Sequence, residues 1–167
     1  IPHNIAKKQK DIVDVMFNKA ILLYTNGDMY SAIPHFSFVL EKAKYTDYRY
    51  KLSLYFIARI YEVNGKIDEA LEYYNRLLDV APYFMEARFR LYHIYKNLGD
   101  FQRAKKHIEI AISKYPEFLL AKIEYIKFLY ENLKDYNLAY EECKKFLNDN
   151  PDNPIVNFIA GDILYRF

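Results

Sequence analysis

Asn64-Gly65-Lys66-Ile67-Asp68-Glu69-Ala70 places a turn pair ahead of an apolar residue, two further residues and an alanine, and the chain returns to this arrangement three more times. The other copies are Asn26-Gly27-Asp28-Met29-Tyr30-Ser31-Ala32, Leu98-Gly99-Asp100-Phe101-Gln102-Arg103-Ala104 and Leu133-Lys134-Asp135-Tyr136-Asn137-Leu138-Ala139. Their alanines, Ala32, Ala70, Ala104 and Ala139, stand 38, 34 and 35 residues apart. Pro82, Pro116 and Pro151 keep nearly the same interval, 34 and then 35 residues. Two landmarks sharing one period mark an internal repeat, in which each copy is one supersecondary unit that must stack on its neighbours to bury an apolar face.

Working outward from the landmarks, the apolar spacing is helical. Leu54, Ile57, Ala58 and Tyr61 follow the i, i+3, i+4, i+7 template, and Ala70, Tyr74 and Leu77 do so beyond the turn. Gly65 and Gly99 suit the left-handed position just past a helix end, and Asp28, Asp100 and Asp135 suit the cap of the helix that follows. Each proline closes a second helix, so one period reads as helix, tight turn, helix and proline-marked loop. Pro34 falls about six residues into the second helix of the first copy, where proline costs about 3 kcal/mol, so that helix is expected to start late or bend.

Composition agrees with an all-α class and excludes several functions. The 167 residues hold 52% apolar side chains, which suits one folded unit rather than a disordered chain. Four Gly leave little material for strands joined by tight turns or for phosphate-cradling loops. Lys and Arg number 24 against 22 Asp and Glu, with the signs interspersed, so no field directs the chain to nucleic acid. The longest run free of charge, Met29 to Leu40, contains Pro34 and falls short of the roughly 20 apolar residues of a membrane span. Cys143 is the sole cysteine, so no internal disulfide forms and the compartment stays open between cytosol and periplasm. A chain beginning with Ile1 reads as a fragment of something longer, whose upstream targeting signal would not be seen.

The pattern resembles the tetratricopeptide repeat, a helix pair of about 34 residues with small residues where its helices cross. Leu54, Ile57, Ala58, Tyr61, Gly65, Ala70, Tyr74, Leu77 and Pro82 stand at that family's consensus places. The resemblance divides the chain into an N-terminal helix extension (1–12), a divergent first repeat (13–50), three further repeats (51–84, 85–118 and 119–153) and a terminal helix (154–167). The third repeat departs from the pattern with bulky Tyr92 at a small-residue place, and the fourth with one inserted residue and Lys134 replacing glycine. The implied architecture is a right-handed α-solenoid of stacked antiparallel helix hairpins, and the implied role is that of a non-catalytic protein-interaction scaffold with a concave groove.

In the resembled family the groove is lined from fixed places on each first helix. Mapped here, they give Phe17 and Tyr24; Tyr55, Arg59 and Glu62; Phe89, His93 and Lys96; Glu124 and Phe128; and Phe158 on the terminal helix. The fifth place is aromatic in four copies of five, and an aromatic row offers large contact area to a partner's extended segment or helix. The same rings would serve equally to pack between adjacent first helices. The Lys and Asn set with which some relatives clamp an acidic chaperone tail is missing: Phe17 and Ile21, or Tyr55 and Arg59, occupy its first places. His3, His35, His93 and His107 show no metal-ligand spacing, no nucleophile motif is present, and neither cofactor nor catalysis is expected. Cys143 is expected to be a buried, inert thiol, and Lys7, Lys8 and Lys10 a solvated helix start. The terminal helix is apolar on more than one side, so Ile159, Ile163 and Phe167 are candidates for an end interface used in self-association or by a neighbouring domain.

Overall fold

The structure, a computed structural model, describes residues 2–167, with side chains from residue 12 onward. Lys7, Lys8, Lys10 and His3 lie outside the described side chains. Among the described residues all regular structure is helical: α1 (Pro2–Thr25), α2 (Met29–Lys42), α3 (Tyr48–Val63), α4 (Ile67–Val80), α5 (Met85–Asn97), α6 (Phe101–Lys114), α7 (Leu119–Phe128), α8 (Tyr136–Asp149) and α9 (Pro154–Arg166). The chain forms two compact units, the first ending at Ala87 and the second running Arg88–Phe167.

In the first unit α1 pairs with α2 and α3 with α4, and α2 also packs on α3. The backbones run close because the crossing places hold Ala20, Ala32, Ala58 and Ala70, all fully buried. Around them Val13, Phe17, Phe36, Val39, Ile57 and Ile60 form a continuous core. Pro34 does not delay α2, which begins at Met29 and passes through it. The ring removes one backbone donor on an exposed side of the helix, at a cost of about 3 kcal/mol. Full burial of Phe36 and Val39 returns roughly 1.5–3 kcal/mol each, so packing outweighs the break.

Hairpin turns follow one scheme. At Gly65, φ is 76°, and the amide of Lys66 reaches back to the Tyr61 carbonyl at 2.9 Å, closing the helix end. Asp100 and Asp135 cap the following helices by accepting from the amides of Arg103 and Leu138, each at 3.2 Å. Asp28, in contrast, makes no such side-chain bond. Asp47 caps α3, and Arg49, only 6% exposed, donates both to it and to Asp14 on α1. The longer connector after α2 thereby fastens α3 to α1.

The second unit accommodates two departures from the repeat. α7 continues into a π turn, Leu129–Leu133, which absorbs the extra residue of the fourth repeat. Lys134 then takes the left-handed place of the missing glycine, with φ 53°, and the backbone amide of Asp135 donates to the Leu129 carbonyl at 2.9 Å. A side chain there costs about 1 kcal/mol, so Lys134→Gly should raise stability by about that amount in urea titration. An unchanged or lower midpoint would show that the lysine contributes more than its backbone strain. Tyr92 is the second departure: a fully buried ring stands where Ala58 stands in α3, edge-on to Phe128 of α7.

α9 is seated by Val156, Ile159 and Ile163, all buried, and by Tyr130, whose hydroxyl donates to Asp162. Arg166 pairs with the same carboxylate at 2.9 Å.

Candidate protein-interaction surface

The residues singled out from the sequence divide by what surrounds them. In the first unit, Phe17 is 8% exposed and meets Phe36 and Tyr48 edge-on, so it belongs to the core. Tyr24 and Tyr55 are half-buried. Tyr24 rests on Phe56 at 4.8 Å, and Tyr55 on Phe56, Tyr74 and Phe84 at 5.6–6.3 Å. Arg59 and Glu62 pair at 2.8 Å, and the Tyr74 hydroxyl donates to the same Glu62 oxygen at 2.5 Å. Burial and the neighbouring Glu62 carboxylate push the Tyr74 phenol well above its usual range, so it remains a donor. The two charges thus form a positioned pair beside Tyr55 rather than two loose groups.

In the second unit, Phe89 is half-buried among the rings of Tyr92, His93 and Phe118, at 6.0, 4.6 and 5.4 Å. Lys96 lies over the Tyr92 ring at 5.5 Å. Glu124 is half-buried and pairs with Lys127 at 3.4 Å. Phe128 is 1% exposed, held edge-on by Tyr92 and Phe101 at 5.5 and 5.7 Å, and has no surface to offer a partner. The π turn explains its placement. It lies after Phe128, so the helix up to that residue keeps an undisplaced register, and Ala121 and Phe128 take inward places like those of Ser53 and Ile60 in α3. Phe158, by contrast, is 68% exposed on α9. Of the end residues, Ile159 and Ile163 are buried at 3% and 6% exposure, while Phe167 is 79% exposed against Tyr136.

Phe84 and Phe118 escaped the reading of the first helices, yet each flanks an accessible ring of its own unit. Their signal was present: both stand two residues after a landmark proline, in Pro82-Tyr83-Phe84 and Pro116-Glu117-Phe118.

Among the described residues no group of His, Cys, Asp and Glu is placed to hold a metal ion. Burial pushes the Cys143 thiol up to about 11, with Glu142 adding to the effect, so the nucleophilic thiolate is scarce near neutrality. No described helix is long and apolar enough to cross a membrane.

Family models described as tetratricopeptide repeat match residues 17–83 and 86–117, together more than half of the chain. No curated protein matches the sequence. Among solved structures, a tetratricopeptide repeat protein from Parabacteroides merdae superposes with a TM-score of 0.80 at 19% identity, covering 93% of this chain and 61% of that one. MamA from Desulfovibrio magneticus gives 0.73 at 15% identity, covering 93% and 85%. YrrB, described as a repeat protein with an unusual peptide-binding site, gives 0.70 at 15% identity, covering 90% and 75%. These likenesses show the helical-repeat solenoid fold.

Proposed function

Because the chain belongs to the tetratricopeptide repeat family, whose members are generally interaction modules, we propose that it is a non-catalytic scaffold that binds a segment of another protein. The observation that carries this reading is the accessible aromatic surface on the first helices: Tyr24 and Tyr55 in one unit, Phe89 with His93 in the other. Aromatic side chains bury large area at little entropic cost, and a fixed ion pair such as Arg59–Glu62 supplies polarity without freezing a mobile side chain on binding. The partner is a protein segment with apolar anchors, an extended strand or an amphipathic helix. Phe17 and Phe128 contribute by holding the helices, not by touching the partner.

A second reading, assembly through α9, is favoured by its outer face. Ile155, Phe158, Leu164, Tyr165 and Phe167 are all exposed there, and Gly161 offers no side chain. One affinity-purification experiment separates the two. The Tyr55→Ala/Phe89→Ala double variant should retain less than about a tenth of the partner, with helical content by circular dichroism unchanged, while Phe158→Glu retains it. Loss with Phe158→Glu alone would move the function to α9. Unfolding of the double variant would assign both rings to the core instead.

A further inference from the structure

We propose that α9 pairs with α9 of a second copy of this chain, antiparallel and about a two-fold axis that passes at Gly161. The pairing rests on the exposed face that favours the assembly reading and names its occupant. It uses no residue of the aromatic surface on Tyr24, Tyr55, Phe89 and His93.

The hairpins of the first unit show what this face of a first helix receives. At the eighth place of the repeat α1 has Ala20 and α3 has Ala58, both fully buried where the second helix of the pair crosses with Ala32 or Ala70. Gly161 stands at the same place in α9. It is exposed, and nothing lies within 4 Å of where a Cβ would stand on it. An antiparallel helix can therefore approach the α9 backbone as closely as α4 approaches α3.

The sequence on either side of the glycine commits that place to a second copy. An antiparallel pair with its axis at Gly161 sets each residue opposite the one equally far beyond the glycine on the other chain. Phe158 then faces Leu164 of the second copy, and Asn157 faces Tyr165 of the second copy. Phe158, Leu164 and Tyr165 are 68%, 61% and 90% exposed, so the apolar contact forms twice from side chains that solvent now surrounds. The Asn157 side chain donates to the Pro151 and Asn153 carbonyls at 2.7 and 3.0 Å, so its oxygen remains to accept from the Tyr165 hydroxyl.

Charge fits the same arrangement. A two-fold axis brings like groups together, so a charged side chain at its centre would repel its own copy. Pro154, Asn157, Phe158, Gly161, Leu164 and Tyr165 lie within a turn or two of one another on this face, are all exposed and carry no charge. Asp162 is engaged elsewhere, with Tyr130 and Arg166.

Area sets the strength. An aromatic side chain brings roughly 150–250 Å², so the face buries on the order of 1,000 Å² over both copies, the lower bound for a specific interface. The pair is a reversible dimer rather than a permanent one.

The test is sedimentation equilibrium of the 167-residue chain from about 1 µM to about 300 µM. The apparent mass should rise from one chain to two and stop there, because a contact between identical faces closes on itself. Gly161→Glu places two carboxylates on the axis and should weaken the dimer at least about tenfold with helical content unchanged, since the position is open in the single chain. Gly161→Ala should pair as the parent does, as alanines do where α3 and α4 cross. Under mild oxidation a Phe158→Cys chain should crosslink to a Leu164→Cys chain and neither to itself, with Cys143 buried and out of reach. A chain that stays monomeric throughout, a dimer indifferent to Gly161→Glu, or a Phe158→Cys chain that crosslinks to itself would each overturn the pairing. Tyr55→Ala/Phe89→Ala should dimerise like the parent. Partner capture lost with Phe158→Glu from a chain that is monomeric throughout would overturn the pairing and leave the assembly reading standing, with another protein's helix on α9.

Discussion

Replacing Tyr92 by Ala is expected to lower the unfolding free energy of the second unit by about 4 kcal/mol, the scale seen for truncating a fully buried aromatic. The ring has no exposed surface and touches three others, those of Phe89, His93 and Phe128. Its position is what makes the loss large. Alanine suffices at the equivalent place in α3, whereas here the ring fills a closely packed space against Phe128 of α7 that cannot be refilled without moving a whole helix. The hydroxyl matters far less: it reaches the Glu124 carbonyl only at 3.4 Å, a weak bond. Tyr92→Phe should therefore cost under about 1 kcal/mol. Urea denaturation of both variants checks the pair of values, and an alanine variant as stable as the phenylalanine one would mean that the neighbouring helices close up freely.

Acidification is expected to remove about 3 kcal/mol of stability between pH 6.5 and pH 4 through one side chain, His107. It is 8% exposed, lies flat on Tyr95 at 5.6 Å with an interplanar angle of 3°, and its Nδ1 is 3.0 Å from Nη1 of Arg88. Arginine only donates, so Nδ1 must accept, and the imidazole is held neutral. Burial, then the charges of Arg88 and Lys106, push its pKa down to about 4. The unfolded chain, with histidine near 6.5, binds more protons than the folded one across that interval. Stability therefore rises with pH there: the contribution is fully present above about 6.5 and is lost as pH falls through 4. His107→Gln retains an acceptor for Arg88 and does not titrate, so its stability should stay nearly flat from pH 7 to pH 4.5. A variant with the same slope as the parent would place the acid sensitivity elsewhere.

Local features were legible from the residues because they depend on near neighbours. The glycines at the turns, the capping Asp100 and Asp135 and the buried alanines follow from helix-end and crossing geometry within a few residues. Pro34 shows the limit of that reasoning. Its backbone penalty is a local quantity, and burial of Phe36 and Val39 against other helices overrides it. Candidate surface residues were less legible, since a repeat place states which way a side chain points but not what stands in front of it. Phe17 and Tyr55 occupy the same place, yet one is sealed by Phe36 and Tyr48 and the other is only half-buried.

Sequence alone determined the period, the helix pairs, their turns and the family, because the landmarks are short-range and recur along the chain. Tertiary structure decided where the extra residue of the fourth repeat goes. A π turn after Phe128 holds it, and that choice turns Ala121 and Phe128 inward. It also decided which charges are engaged, tying Glu62 to Arg59 and Tyr74, and Glu109 to Tyr125. Both outcomes depend on contacts between different helices, where a shift of one residue turns a helix by about 100° and exchanges a buried face for an exposed one.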